Sequence, residues 1–188
     1  NYAEVSDLQV YNNPAVSHQY EPGSIFKSIT MAVALEEGKV RSETTYTDTG
    51  EVHISPDTIR NSDGKAYGTQ TMTQVLDQSL NTGAVYAMRT VGARTFRKYV
   101  ENFSFGEVTG IELAGEVRGD VSALRKNGEI YAATASFGQG IAATPLQIFN
   151  AANPLTQDSR FFVHDSYLND RNADVVTGAG SEFQAHSR

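Results

Sequence analysis

Tyr20-Glu21-Pro22-Gly23-Ser24-Ile25-Phe26-Lys27 opens a long apolar run and sets a hydroxyl and an amine three residues apart. Ile25, Phe26, Ile29, Met31, Ala32, Val33, Ala34 and Leu35 are apolar on most sides of a helical wheel, so the run predicts a central helix over Ser24–Glu37. Pro22-Gly23 breaks the chain before it, and Gly38 is its C-terminal stop, with Lys39 and Arg41 just beyond. Ser24 then falls at or near the N-cap, where free backbone N–H groups and the positive end of the helix dipole favour a developing anion. Lys27 shares its face, and a core-packed stem favours the neutral amine, which can serve a neighbouring hydroxyl as general base. A serine N-cap followed by a snorkelling lysine fits the same four residues, and they do not separate the two readings.

Context separates this Ser-x-x-Lys from a second one. Ser62-Asp63-Gly64-Lys65 sits in a polar stretch with an Asp-Gly turn signal, so it reads as solvent-facing loop. Ser79-Leu80-Asn81 lies between two amphipathic segments, Met72 to Gln78 and Thr82 to Val91. A polar turn there can aim a hydroxyl and an amide into a cleft, although a helix cap is the default reading of Ser-x-Asn alone. Ala135-Ser136-Phe137-Gly138-Gln139-Gly140-Ile141 allows a tight backbone, and Thr144-Pro145-Leu146-Gln147 starts a further helix.

Taken in order, these stretches, with Phe105-Gly106-Glu107-Val108-Thr109-Gly110-Ile111-Glu112-Leu113, resemble the transpeptidase domain of monofunctional (class B) penicillin-binding proteins. The resemblance runs from about Asn1 to about Ala152. It implies the penicillin-binding-protein/β-lactamase-like α/β fold, an antiparallel five-stranded sheet flanked by helices plus an all-helical lobe. It also implies roles. Ser24 would attack the carbonyl between the terminal D-alanines of a peptidoglycan stem peptide, and its backbone N–H would form half of an oxyanion hole. Lys27 would take the serine proton, Ser79 would relay a proton to the leaving amine, and Asn81 would hydrogen-bond the substrate backbone. β-Lactam antibiotics would acylate Ser24, no cofactor or metal would be needed, and cell-wall synthesis proteins would be partners. The location would be extracytoplasmic, the periplasm or the outer face of the bacterial cell membrane, with the parent protein membrane-anchored.

The family's third motif, Lys-Thr-Gly, is absent from the chain. Val176-Thr177-Gly178 lacks the cation and arrives too soon after Gln147, so it reads as coincidence. Without the motif's lysine, like-charge repulsion on Lys27 is lost, and half of the oxyanion hole with it. The chain opens at Asn1-Tyr2 without a Met, and the resemblance places an anchor, a pedestal domain and the first sheet strands before that point. The domain is therefore expected to be incomplete, with exposed apolar helix faces. Residues 1–152 read as a partial transpeptidase domain with its helical lobe at about 72–103. Asn153-Pro154 is expected to end the last helix, and 153–188 to be a polar tail, linker or artefact in which Phe161-Phe162-Val163 alone reads as strand.

Elsewhere the sequence predicts an extended, polar approach over Asn1–Gln19, and a loop-rich stretch over Val40–Thr71 with short strands at Thr44-Thr45-Tyr46 and Val52-His53-Ile54. The 188 residues carry 15 basic and 22 acidic side chains, a net charge of −7, with no basic run, which argues against nucleic-acid binding. No cysteine is present, which rules out thiolate chemistry. His164-Asp165-Ser166 holds triad residue types but reads as a turn, Arg118-Gly119-Asp120 is a tripeptide in a charged loop, and no histidine has a second ligand at helical metal spacing. Three functional readings stand: a serine D,D-transpeptidase fragment, a non-catalytic relative serving as a binding module, and a D,D-carboxypeptidase, β-lactamase or β-lactam sensor. The Phe105–Leu113 and Ser136–Gly140 stretches favour the first over the third.

Overall fold

Asn13 and Pro14 start the described part of the chain with a helix rather than the extended segment expected there. In the computed structural model, which describes residues 12–156, Asn13 Oδ1 accepts from the Ala15 N–H at 3.0 Å and caps α1 (Pro14–Ser17), whose Val16 is buried. Asparagine before proline is an N-cap followed by a preset N1, and that local signal outweighs the polar composition. The Phe161-Phe162-Val163, His164-Asp165-Ser166 and Val176-Thr177-Gly178 strings lie outside the described residues.

Helix α2 (Phe26–Glu36) forms where the apolar run predicts it and buries Phe26, Ile29, Met31, Val33 and Ala34. Phe26 packs on Phe105 with ring centroids 5.1 Å apart. Ile25 and Leu35 remain exposed at 55 % and 47 %, and Phe149 at 66 %, so apolar helix faces are uncovered as expected. The helix ends in a Schellman motif: Gly38 at φ +61° donates to the Leu35 carbonyl, and Lys39 to that of Ala34.

Four short strands follow. β1 (Thr45–Asp48) pairs antiparallel with β4 (Gly68–Thr71), and β2 (Glu51–Ile54) with β3 (Asp57–Arg60). The Thr44–Tyr46 and Val52–Ile54 signals mark β1 and β2, whereas the polar β3 and β4 carry no apolar alternation. The five-stranded sheet implied by resemblance is not assembled among the described residues. Their remaining pairings are single antiparallel bridges, Tyr20–Ala143 and Asp120–Ala142.

Three helices succeed one another after β4: α3 (Met72–Asp77), closed at its start by a Thr71/Gln74 capping box, α4 (Asn81–Val91) and α5 (Ala93–Asn102). Helices α6 (Glu129–Ala135) and α7 (Pro145–Thr156) complete the order. Thr144-Pro145-Leu146-Gln147 is a second capping box: Gln147 N–H donates to Thr144 Oγ1 at 3.2 Å, and Gln147 Oε1 accepts from Thr144 N–H at 2.9 Å. The amide end of the buried Gln147 donates to the Glu107 and Arg118 carbonyls, so one side chain ties three segments together. Gly119 lies against this knot, where a Cβ would come within 2.4 Å of the Ala142 carbonyl oxygen, giving the Arg118-Gly119-Asp120 string a packing role. Helix α7 does not stop at Asn153-Pro154 but runs through it to Thr156. Proline at 154 lacks the N–H that would donate to the Asn150 carbonyl, so the helix forgoes one i→i−4 bond there and continues.

Candidate active site

The Ser24 turn is not a side-chain N-cap. Ser24 lies inside a 3-10 turn (Gly23–Ile25) that runs directly into α2, and Ile25 occupies the α2 N-cap position. The serine is left exposed, with its backbone N–H in a first turn that offers no intrahelical acceptor. One turn on, Lys27 is 2 % exposed, and its Nζ lies 3.2 Å from Ser24 Oγ.

Ser79 completes the arrangement from the other side. Lys27 Nζ is 2.9 Å from Ser79 Oγ and 2.5 Å from the Ser79 carbonyl oxygen. One amine therefore touches two hydroxyls and one carbonyl. Because the carbonyl only accepts, it takes one Nζ hydrogen in either protonation state. A neutral amine keeps a lone pair that Ser24 Oγ–H can meet, which is the contact of an activated nucleophile. Burial lowers the Lys27 pKa from 10.5 to about 8, the direction that chemistry needs.

The backbone at Ser79 is strained. Its N–H donates to the Leu76 carbonyl and that of Leu80 to Val75, the same Schellman closure as at Gly38, with Leu80 and Val75 both buried. Here a serine at φ +54° holds the left-handed position that glycine holds in the first case. A side chain in that region costs about 1–2 kcal/mol. Ser79→Gly is expected to stabilise the chain by about 1 kcal/mol, raising Tm by about 2–4 °C, while slowing acylation of Ser24 by about 10–100-fold. Differential scanning fluorimetry and a penicillin-labelling time course measure the two opposed changes.

Asn81 is the first residue of α4, and its Nδ2 donates to the Arg60 carbonyl of β3 at 2.8 Å. One of the two amide hydrogens is thus committed to the fold. The second Ser-x-x-Lys pair is not assembled: Ser62 to Lys65 are exposed, and Lys65 pairs with Asp63 at 3.7 Å.

Sequence reasoning assigned the Ser136–Gly140 stretch no mechanical part, yet it holds the Ser24 turn. Gly23 N–H donates to the Gly138 carbonyl at 2.9 Å, and Gly140 N–H to Glu21 Oε1 at 2.8 Å. Thr30 Oγ1 donates to the Ser136 carbonyl at 2.7 Å, and Tyr20 and Ala143 exchange a pair of bonds at 3.0 Å. Glu21 and Gly138 were legible only as neighbours of a motif, because their partners are more than a hundred residues away.

The chain belongs to the penicillin-binding-protein transpeptidase family. That family's description, penicillin binding protein transpeptidase domain, matches residues 1–162. Its relatives place it among the monofunctional class B members. The chain is 40 % identical over 143 residues to stage V sporulation protein D of Bacillus subtilis, covering 75 % of this chain and 22 % of that protein. It is 30 % identical over 140 residues to the peptidoglycan D,D-transpeptidase FtsI of Escherichia coli, covering 74 % and 23 %. Among solved structures it is similar to a peptidoglycan synthetase from Bifidobacterium adolescentis, with a TM-score of 0.72 and 26 % identity over 80 % of this chain and 28 % of that one. It is also similar to penicillin binding protein 3 of Mycobacterium tuberculosis complexed with aztreonam, with a TM-score of 0.71 and 27 % identity over 77 % and 32 %. The chain thus has the transpeptidase fold but spans under a quarter of the length of these two relatives.

Proposed function

We propose that this chain carries the acylation machinery of a serine D,D-transpeptidase that cross-links peptidoglycan. The observation that carries the reading is Lys27 Nζ standing 3.2 Å from Ser24 Oγ and 2.9 Å from Ser79 Oγ in a buried position. Ser24 Oγ attacks the carbonyl carbon between two terminal D-alanines as its proton passes to Lys27. The C–N bond then breaks, and the leaving amine receives a proton through Ser79, releasing D-alanine and leaving an ester on Ser24. A second stem-peptide amine attacks that ester, forming the cross-link and returning the proton to the serine. Asn81 Oδ1 accepts from the substrate backbone, and the Ser24 N–H donates to the oxyanion. Peptidoglycan lies outside the cytoplasm, so the proposed place of action is the periplasm or the outer face of the cell membrane, alongside other cell-wall synthesis proteins. Among the described residues no helix is long and apolar enough to cross a membrane.

Intact-mass measurement after incubation with benzylpenicillin tests the reading. The expected result is one stoichiometric adduct, absent from Ser24→Ala. No adduct on a chain shown to be folded by circular dichroism would overturn it, in favour of a binding module that has kept the fold without the reaction.

A further inference from the structure

Asp48, at the end of β1, is a carboxylate only 2 % exposed, and among the described residues no basic side chain bonds to it. Four donors compensate its charge. Thr82 Oγ1–H reaches Oδ1 at 2.6 Å and Gly50 N–H reaches it at 3.0 Å, while Asn61 Nδ2 and Tyr67 N–H reach Oδ2 at 2.9 Å each. Thr82 has one hydroxyl hydrogen for two acceptors, Asp48 Oδ1 and, at 3.2 Å, Asn61 Oδ1, so Tyr46 is the donor in the 3.1 Å contact between Tyr46 OH and Thr82 Oγ1. Asn61, also buried, accepts from the Thr82 N–H at 3.3 Å through Oδ1 and gives its second amide hydrogen to the Lys65 carbonyl.

Thr82 follows Asn81 directly and belongs to the first turn of α4, where its hydroxyl meets Asp48 and its backbone N–H meets Asn61. Arg60, next to Asn61, takes the Asn81 amide on its carbonyl. Residues from β1, β3 and the loop after β3 therefore hold the start of α4 at Asn81 and Thr82. Two residues before Asn81 lies Ser79, whose other anchor is the strained closure of α3. An apolar pair fills such a space with less desolvation cost, whereas a fully satisfied polar network fixes one geometry.

We propose that Asp48, acting through Thr82 and Asn61, is a positioning residue that sets the reach of Ser79 Oγ and Asn81 into the site. The inference rests on the reading of Ser79 and Asn81 given above. A misplacement of about 1 Å in a reacting group costs up to about 100-fold in rate.

The test uses the 188-residue chain and benzylpenicillin, followed by intact mass to give separately the reactive fraction and the rate constant of that fraction. Asp48→Asn and Thr82→Val are expected to leave the reactive fraction near unity and lower the rate constant by about tenfold or more, while Thr82→Ser stays within about threefold. Variants that lose reactive fraction while the remainder acylates at the unsubstituted rate would assign the network to stability alone and overturn the proposal. Ser79→Ala separates the two readings. If it acylates normally, the site reading fails; if it is slow while Asp48→Asn and Thr82→Val are normal, the positioning inference alone fails. Amide exchange needs no acylation: Thr82→Val is expected to raise it about tenfold at Leu80–Thr82 and leave α2 unchanged. A uniform rise would overturn the proposal.

Discussion

Lys27→Met is expected to slow acylation of Ser24 by about 1,000-fold while making the chain more stable near neutral pH. The rate effect is that of removing a general base, typically about 100–10,000-fold. The stability effect follows from burial. An unfolded lysine holds its proton to about pH 10.4, whereas the folded Lys27 releases it near 8. Between those values the unfolded chain binds more protons, so the stability of the unsubstituted chain rises with pH across that window. Below it both states are protonated, and the desolvation penalty is constant and full. Methionine fills much of the same volume without a charge, although the Ser79 carbonyl loses its partner. The net gain is expected to be about 1–2 kcal/mol at pH 7, shrinking toward zero or below as pH rises from 8 to 10.5. Urea titrations of both proteins at several pH values measure this, and a gap independent of pH would show that Lys27 keeps an ordinary pKa. The unsubstituted chain should acylate faster as pH rises through about 8, where the amine becomes neutral.

Gly138→Ala is expected to produce the largest structural loss of any single methyl addition in the site. Gly138 has φ +79°, and a Cβ there would lie 2.1 Å from the Gly23 carbonyl oxygen and 2.6 Å from its nitrogen. Both are backbone atoms of the turn that presents Ser24, so no side-chain rotation relieves the overlap. The left-handed backbone alone costs about 1–2 kcal/mol for alanine, and displacing the turn breaks the Gly23 N–H bond and brings the total to about 3–4 kcal/mol. A Tm drop of about 10 °C and a labelling rate at least about tenfold lower are expected. Gly140→Ala is the comparison. At φ +70° its Cβ meets nothing closer than Thr134 Oγ1 at 3.4 Å, so it carries the conformational cost alone. Equal losses from the two substitutions would show that contact with Gly23 is not what holds the turn.

Local rules made α2 readable: an unbroken apolar run, a Pro-Gly start and a glycine stop. They also made α7 readable at its first turn, since Thr144, Pro145 and Gln147 are cap, N1 and N3 in sequence. The pairing of Ser24 with Lys27 needed only helical spacing. Ser79 was placed in its turn from flanking amphipathic segments and family resemblance, but its left-handed backbone was invisible, because glycine is the residue that signals that geometry. Asp48 was unreadable for the opposite reason. Thr47-Asp48-Thr49-Gly50 has the composition of an exposed turn, yet tertiary donors from Asn61, Tyr67 and Thr82 bury its carboxylate. Strands β3 and β4 escaped because hydrogen bonding to β2 and β1, not an apolar alternation, defines them.

The contacts that hold the Ser24 turn join parts of the chain made far apart in time. Glu21 meets Gly140 across 119 positions, Thr30 meets Ser136 across 106, and Lys27 meets Ser79 across 52. During synthesis α2 has every local signal it needs long before Gly138 exists, but the turn in front of it has nothing to lean on. Closing loops of that length is the slow, entropically costly part of folding. On the proposed reading, covalent capture of Ser24 by a penicillin would report that these long loops have closed, and growing chains that stop short of Ala143 are expected to escape it even with the helix formed.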